Sequence, residues 1–147
     1  MNIEELLQRY ATGERDFGDV DLSGARLAGA VLSGVSLCGA DLSGAILTRA
    51  ALGGANLASA YLQGASLRDA DLRGAQLAGA NLQTADLAGA QLTDADLTGA
   101  ELRGANLSGV SLHRAQLRPS QLRAAIEAGA QIHDPEPAES SDALIAR

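Results

Sequence analysis

The chain has 147 residues, the length of one domain, with a formal net charge of −7, and its apolar content of 46% includes no Trp, one Phe and two Tyr. The acidic balance argues against a protein that grips nucleic acid by neutralising phosphates, and no run approaches the roughly 20 apolar residues of a membrane span. Leu and Ala carry the apolar content and Gly is frequent at 17, a bias toward an internal repeat rather than a core of mixed side chains.

The first residues, MNIEELLQRY, are acidic and lack the basic and apolar regions of a secretory signal. Cys38 is the single cysteine, so no intrachain disulfide forms, and a reducing, cytoplasmic location is expected. Asn2 followed by Glu5 reads as a helix N-cap with its partner, and Gly13 reads as a stop. The pattern predicts a helix over residues 3–11 with Ile3, Leu6, Leu7 and Tyr10 on one face. Residues 1–14 are expected to cap the region after them, with Phe17 as a plug beneath the helix.

From Val20 the chain aligns with itself in fives: VDLSG, ARLAG, AVLSG, VSLCG, ADLSG, and so on to AQLRP. Leu holds the third place of twenty consecutive units, Leu22 to Leu117, and the first place is Ala except at Val20, Val35 and Val110. A continuous helix would rotate each Leu about 140° from the last and scatter the apolar stripe around its axis. A straight strand would send alternate Leu residues to opposite faces, because five is odd. The register survives only if the chain bends once per unit, at the fourth and fifth places, where Gly and small polar residues suit a tight turn. The spacing itself gives a stacked coil with one corner per unit; if the coil has four sides it holds twenty residues, and coils stack at about 4.8 Å. Leu22, Leu42, Leu62, Leu82 and Leu102 then form one column, and the small first-place residue leaves room for four Leu per layer.

ADLSG at 40–44, ANLAS at 55–59, ADLRG at 70–74, ADLAG at 85–89, ADLTG at 95–99 and ANLSG at 105–109 match the tandem A(D/N)LXX signature, and the chain resembles the pentapeptide-repeat family over residues 20–118. GERDF, ahead of the first unit, is similar to the N-termini of cyanobacterial members. The resemblance implies an all-β solenoid, a right-handed quadrilateral β-helix of about five coils, here over residues 15–118 with short capping α-helices at both ends. Pro119 suits a first helical turn, Leu122, Ala125 and Ile126 form an apolar stripe, and Gly129 ends it. Residues 119–133 are therefore expected to cap the last coil. Residues 134–147 are polar and contain Pro, and read as a flexible tail.

Nothing in the repeats resembles an active site. His113 lies on a coil exterior and His133 near the tail, and both read as solvated, Cys38 sits at a corner, and no metal-ligand spacing or phosphate-cradling loop is present. The expectation is a non-enzymatic module without a cofactor or metal. A hexapeptide acyltransferase has a period of six, against five here. Asp and Asn at second places can bond local backbone, so their first reading is structural. One wall nevertheless aligns Asp21, Asp41, Tyr61, Asn81 and Glu101, and Asp21, Asp41, Tyr61 and Glu101 are the candidate partner-binding residues. Arg68, Arg73, Arg103, Arg114 and Arg118 gather toward the C-terminal half, with Asp69, Asp94 and Glu101 as expected partners. Val31, Ile46 and Tyr61 are apolar side chains at outward places.

The function expected is a protein-interaction or scaffold module with another protein as partner, without direct nucleic-acid or membrane binding, and a monomer if both ends are capped. The alternative is a DNA-mimicking inhibitor of DNA gyrase, as some members of the resembled family are. Residues 15–118 hold ten acidic residues against eight Arg, a net of −2, so most of the −7 lies outside the repeats. A DNA mimic needs its field along the rod, which ranks that alternative second.

Overall fold

The computed structural model of the chain describes residues 1–131. His133 and the expected tail at 134–147 lie outside the described residues. The repeat region contains no long strand. It is a ladder of single-residue parallel bridges, each joining residue i to i+20. The bridged residue is the second of its unit, and the bridges fall into four walls. Wall 1 runs Asp16, Ser36, Asn56, Gln76, Asp96 and Gln116. Wall 2 is Asp21, Asp41, Tyr61, Asn81 and Glu101. Wall 3 is Arg26, Ile46, Ser66, Asp86 and Asn106, and wall 4 runs from Val31 through Ala51, Asp71, Gln91 and Ser111 to Gln131. The bridge spacing is that of a four-sided coil of twenty residues.

One unit shows how the backbone is satisfied. In Ala40–Gly44, Ala40 N–H closes a turn on Leu37 O at 3.0 Å, and Asp41 N–H reaches the preceding coil at Val20 O, 2.9 Å. Leu42 N–H and Gly44 N–H reach the following coil at Tyr61 O (2.7 Å) and Gln63 O (3.0 Å). The remaining donor, Ser43 N–H, points along its own unit and is taken by Asp41 Oδ1 at 3.0 Å. A buried or half-buried backbone donor without a partner is costly; the bonds between coils recur along the ladder, and the fourth-place N–H is taken by a side chain where the second residue is Asp or Asn. The turn closed by each first-place N–H has its third residue at a φ between 55° and 75°, the requirement of a type II turn. Gly39 takes this conformation without a Cβ penalty, its φ being 71°, and the Asp19 carboxylate from the coil above packs where a Cβ would stand, so a side chain there would have to displace it.

The third-place Leu side chains from Leu22 to Leu112, with most of the first-place Ala and Val, form one continuous buried core. Leu117, at the last unit, is only partly buried. Among the described residues no polar or charged residue is buried in it.

Helix α1 spans Ile3–Ala11, and Asn2 Oδ1 accepts Glu5 N–H at 2.7 Å. Leu6 is fully buried against the core, and Ile3 and Tyr10 pack at its edge. Leu7 was expected on the same face but stays exposed, because it lies about 100° around the helix from Leu6. Tyr10 Oη donates to Ser33 O at 2.7 Å and the Arg15 guanidinium lies 3.7 Å from its ring centre, tying the helix to the first coil. Phe17 is buried, with its N–H on Ser36 O.

Helix α2 spans Pro119–Glu127. It departs from the expected packing. Ala125 alone of the apolar stripe is fully buried, whereas Leu122 and Ile126 are exposed. The cause is Gln121. Its Nε2 donates to Leu97 O at 2.7 Å and Ala100 O at 2.8 Å, while Oε1 accepts from Arg118 N–H at 2.8 Å and Gly99 N–H at 3.2 Å. These contacts turn the Gln121–Ala125 side inward and roll Leu122 and Ile126 out. After α2 the chain rejoins the ladder, with Leu107 N–H on Ala128 O and Gln131 bridged to Ser111.

Candidate functional site: the outer walls

Second-place Asp and Asn residues follow one rule. Asp16, Asp21, Asp41, Asn56, Asp71, Asn81, Asp86, Asp96 and Asn106 each accept, through Oδ1, the N–H two residues on, at 2.9–3.1 Å. The side chain is the right length to close this short ring, as in an Asx turn. Sequence position alone gives these carboxylates a structural role. Hydrogen bonds from Ser23, first its N–H and then its hydroxyl, hold the Asp21 carboxyl below its ordinary value. The hydroxyl and N–H of Thr98 do the same for Asp96.

Wall 2 brings together the four candidate residues. The bridges Asp21–Asp41, Asp41–Tyr61, Tyr61–Asn81 and Asn81–Glu101 place them in one line. Their chemistry is not uniform. Asp21 and Asp41 each bind a Ser N–H and its hydroxyl within their own units. Asn81 Oδ1 takes Gln83 N–H at 3.0 Å. Glu101 is a methylene too long for that ring and accepts from Gln83 Nε2 instead. Tyr61 has no such local task, and its side chain stands 51% exposed in the middle of the line. Of the four, it is the residue whose identity the coil does not explain.

The other outward features disperse. Val31, Ile46 and Tyr61 are exposed but lie on walls 4, 3 and 2, so they form no single patch. The arginines pair differently from the sequence expectation. Of the three carboxylates expected to take arginines, Asp94 meets Arg114 at 2.8 Å, whereas Arg68 meets Asp86 at 2.9 Å and Arg73 meets Asp71 within its own unit. Glu101 takes the Gln83 amide rather than an arginine. The hydrogen bond from Arg73 holds Asp71 below the usual carboxylate range, and that from Arg114 does the same for Asp94. For Asp86, burial pushes the carboxyl up, and Arg68, Ala88 N–H and Asn106 together outweigh it.

Cys38 is exposed at a corner of wall 1, and His113 N–H lies 3.3 Å from Ser111 Oγ on wall 4. No group of three His, Cys, Asp or Glu among the described residues is arranged to hold a metal ion. Likewise, no helix among them is long and apolar enough to cross a membrane.

A rung of four five-residue units, bridged at i+20, with inward Leu and Ala and a one-residue left-handed turn at each corner, defines a β-solenoid of pentameric period. The chain belongs to the pentapeptide-repeat family: the model described as pentapeptide repeats matches in 8 copies over residues 16–54, 50–89 and 85–123. Members of this family are right-handed quadrilateral β-helices. Among solved structures, the chain is similar to a pentapeptide repeat protein of the Arabidopsis thaliana thylakoid lumen, at 27% identity over 95% of this chain and 93% of that one, with a TM-score of 0.58. It is also similar to pentapeptide repeat proteins of two cyanobacteria. Rfr23 of Cyanothece 51142 gives 30% identity over 80% of this chain and 96% of that one, TM-score 0.47. The protein of Nostoc PCC 7120 gives 34% identity over 88% and 94%, TM-score 0.46. A search of curated protein sequences finds no match. Pentapeptide repeat proteins are in general structural and interaction modules.

Proposed function

We propose that this protein is a non-enzymatic interaction module, a tower of about five coils closed by α1 and α2 that docks another protein along wall 2. Tyr61 carries this reading. It is a large, half-exposed aromatic on a wall whose other members are small or polar, and interface anchors are enriched in Tyr. Asp21, Asp41 and Glu101 surround it with negative charge, so the partner surface is one with an apolar pocket and basic rim. A rigid wall presents these side chains already ordered, which lowers the entropy cost of docking. The lone exposed thiol suits a reducing compartment, and we place the module in the cytoplasm.

The test compares three baits in capture from the source cell: the natural chain, Tyr61→Ala with Asp41→Ala, and Gln76→Ala on wall 1. The reading expects a partner retained by the first and third and lost by the second. Equal capture by all three contradicts it. Gyrase inhibition ranks below this reading, because the repeat region carries a net charge of only −2. Inhibition of gyrase supercoiling at micromolar protein would reverse that ranking.

A further inference from the structure

Arg26 and Ile46 are stacked neighbours on wall 3, joined by a bridge, and Arg49 stands three residues beyond Ile46 at the edge of the same wall. All three are exposed. The coil explains none of them. Arg and Ile carry no acceptor for the N–H two residues on, so both places forgo the ring that Asp or Asn closes elsewhere. Arg49 holds a φ of 58°, a left-handed conformation that Gly takes without strain at most other corners. The other charged residues in that conformation are engaged with the tower. Asp94 and Arg114 pair with each other, and Asp19 and Asp69 lie over Gly39 and Gly89. Arg26 and Arg49 make no ion pair or side-chain hydrogen bond among the described residues. The carboxylates flanking them are already in use: Asp41 holds the N–H and hydroxyl of Ser43, and Asp69, next after Arg49 on the same edge, is turned to Gly89.

We propose that this part of wall 3 is a second docking surface, separate from wall 2, for an acidic segment of a partner protein that carries an apolar side chain between carboxylates. Ile46 is the apolar contact. Arg26 takes one carboxylate, a coil away along the tower, and Arg49 takes another, around the perimeter. Wall 2, with Asp21, Asp41 and Glu101, suits a basic rim, so the two surfaces sort partners by the sign of their charge. A nucleic acid fits poorly, because Ile46 offers nothing to a phosphate backbone and the net charge of −7 repels a polyanion. Three exposed side chains make a contact far smaller than a standard interface, so this surface alone binds at the level of hundreds of micromolar.

Fluorescence anisotropy of labelled dodecapeptides with the full chain tests this. A peptide repeating Glu-Leu-Glu-Gly binds with a midpoint on the order of hundreds of micromolar at about 50 mM salt, and roughly 3–10-fold more weakly at about 500 mM. Peptides repeating Lys-Leu-Lys-Gly or Glu-Gly-Glu-Gly do not bind below about 1 mM. Arg26→Ala, Arg49→Gly and Ile46→Ala each weaken binding roughly 3–10-fold, whereas Arg103→Ala and Tyr61→Ala leave it unchanged. Arg49→Gly also raises the urea midpoint, because it relieves the left-handed strain while removing a binding group. An unchanged far-ultraviolet spectrum confirms that each variant keeps the tower. No binding up to about 1 mM overturns the proposal. So does a fall in the urea midpoint of Arg49→Gly, which would give Arg49 a task in the coil. Loss of binding with Tyr61→Ala would move the peptide to wall 2, and competition by a single-stranded oligonucleotide would make the site one for phosphates; either result overturns it.

Discussion

The two ends of the tower both use a helix of nine residues, yet they meet the core by different means. At the N-terminal end α1 buries Leu6 completely and adds Ile3 and Tyr10 at its rim, so apolar burial holds it. At the C-terminal end Ala125 is the buried residue of the helix, and a glutamine holds the helix by bonding four backbone groups, two of which, Gly99 N–H and Ala100 O, a further coil would have satisfied. One end turns its apolar residues inward and the other keeps two outside. A polar docking contact can thus fix a helix while leaving its hydrophobic strip available.

The largest expected effect that would break this contrast is at Leu6. Leu6→Ala should cost about 2–5 kcal/mol by emptying a fully packed site, whereas Leu122→Ala should cost less than about 0.5 kcal/mol, as at an exposed surface position. Urea unfolding of the two variants reads the difference, and similar losses would show that the ends are closed alike. Next is Gln121→Ala, which leaves the carbonyl of Ala100 and the N–H of Gly99 unmatched at a half-buried site and should cost about 1–3 kcal/mol. Hydrogen exchange should show the loss at residues 97–100 and α2, and not at α1. Asn2→Ala removes the N-cap bond to Glu5 N–H and should cost about 1 kcal/mol, with fraying confined to α1.

The smallest effect is acid sensitivity. Asp71, Asp94 and Asp96 have folded-state pKa values held down by Arg73, Arg114 and Thr98. A depressed carboxylate contributes stability above its unfolded value, near 4, and loses it as pH falls through the folded value. All three lie in the C-terminal half of the repeats, as does Asp86, against Asp21 alone of the lowered carboxyls in the N-terminal half. Lowering the pH from 7 to about 3 should therefore loosen that half first, slightly, because these groups are largely solvated. Thermal melts of Asp94→Asn across this range should show a shallower acid slope than the natural chain.

The interior was readable because it admits few solutions. A Leu every five residues, an Ala two before it and a turn residue two after it require a corner in every unit to keep all the leucines together; the four sides came from the family resemblance, and the bridges at i+20 agree with them. The local task of second-place Asp and Asn was legible for the same reason, since only a short acceptor closes the ring. What escaped was set by contacts that have no period. The apolar stripe of Leu122, Ala125 and Ile126 was visible, but its rotation depends on Gln121 reaching Leu97 and Ala100, more than twenty residues back. The partners of Arg68 and Arg73 depend on which of several nearby carboxylates each fork reaches. Tyr61 was placed on its wall by counting, yet only the structure separates it from neighbours whose side chains already serve the coil.

The central claim is that residues twenty apart are stacked neighbours. Spin labels at cysteines replacing Asp21 and Glu101, with Cys38→Ser, measure it directly by pulsed dipolar spectroscopy. Four coil spacings of about 4.8 Å place the two backbones about 19 Å apart, with a narrow distribution. A broad distribution centred beyond about 40 Å, or the separation of about 120 Å that eighty residues of helix would give, would contradict the account.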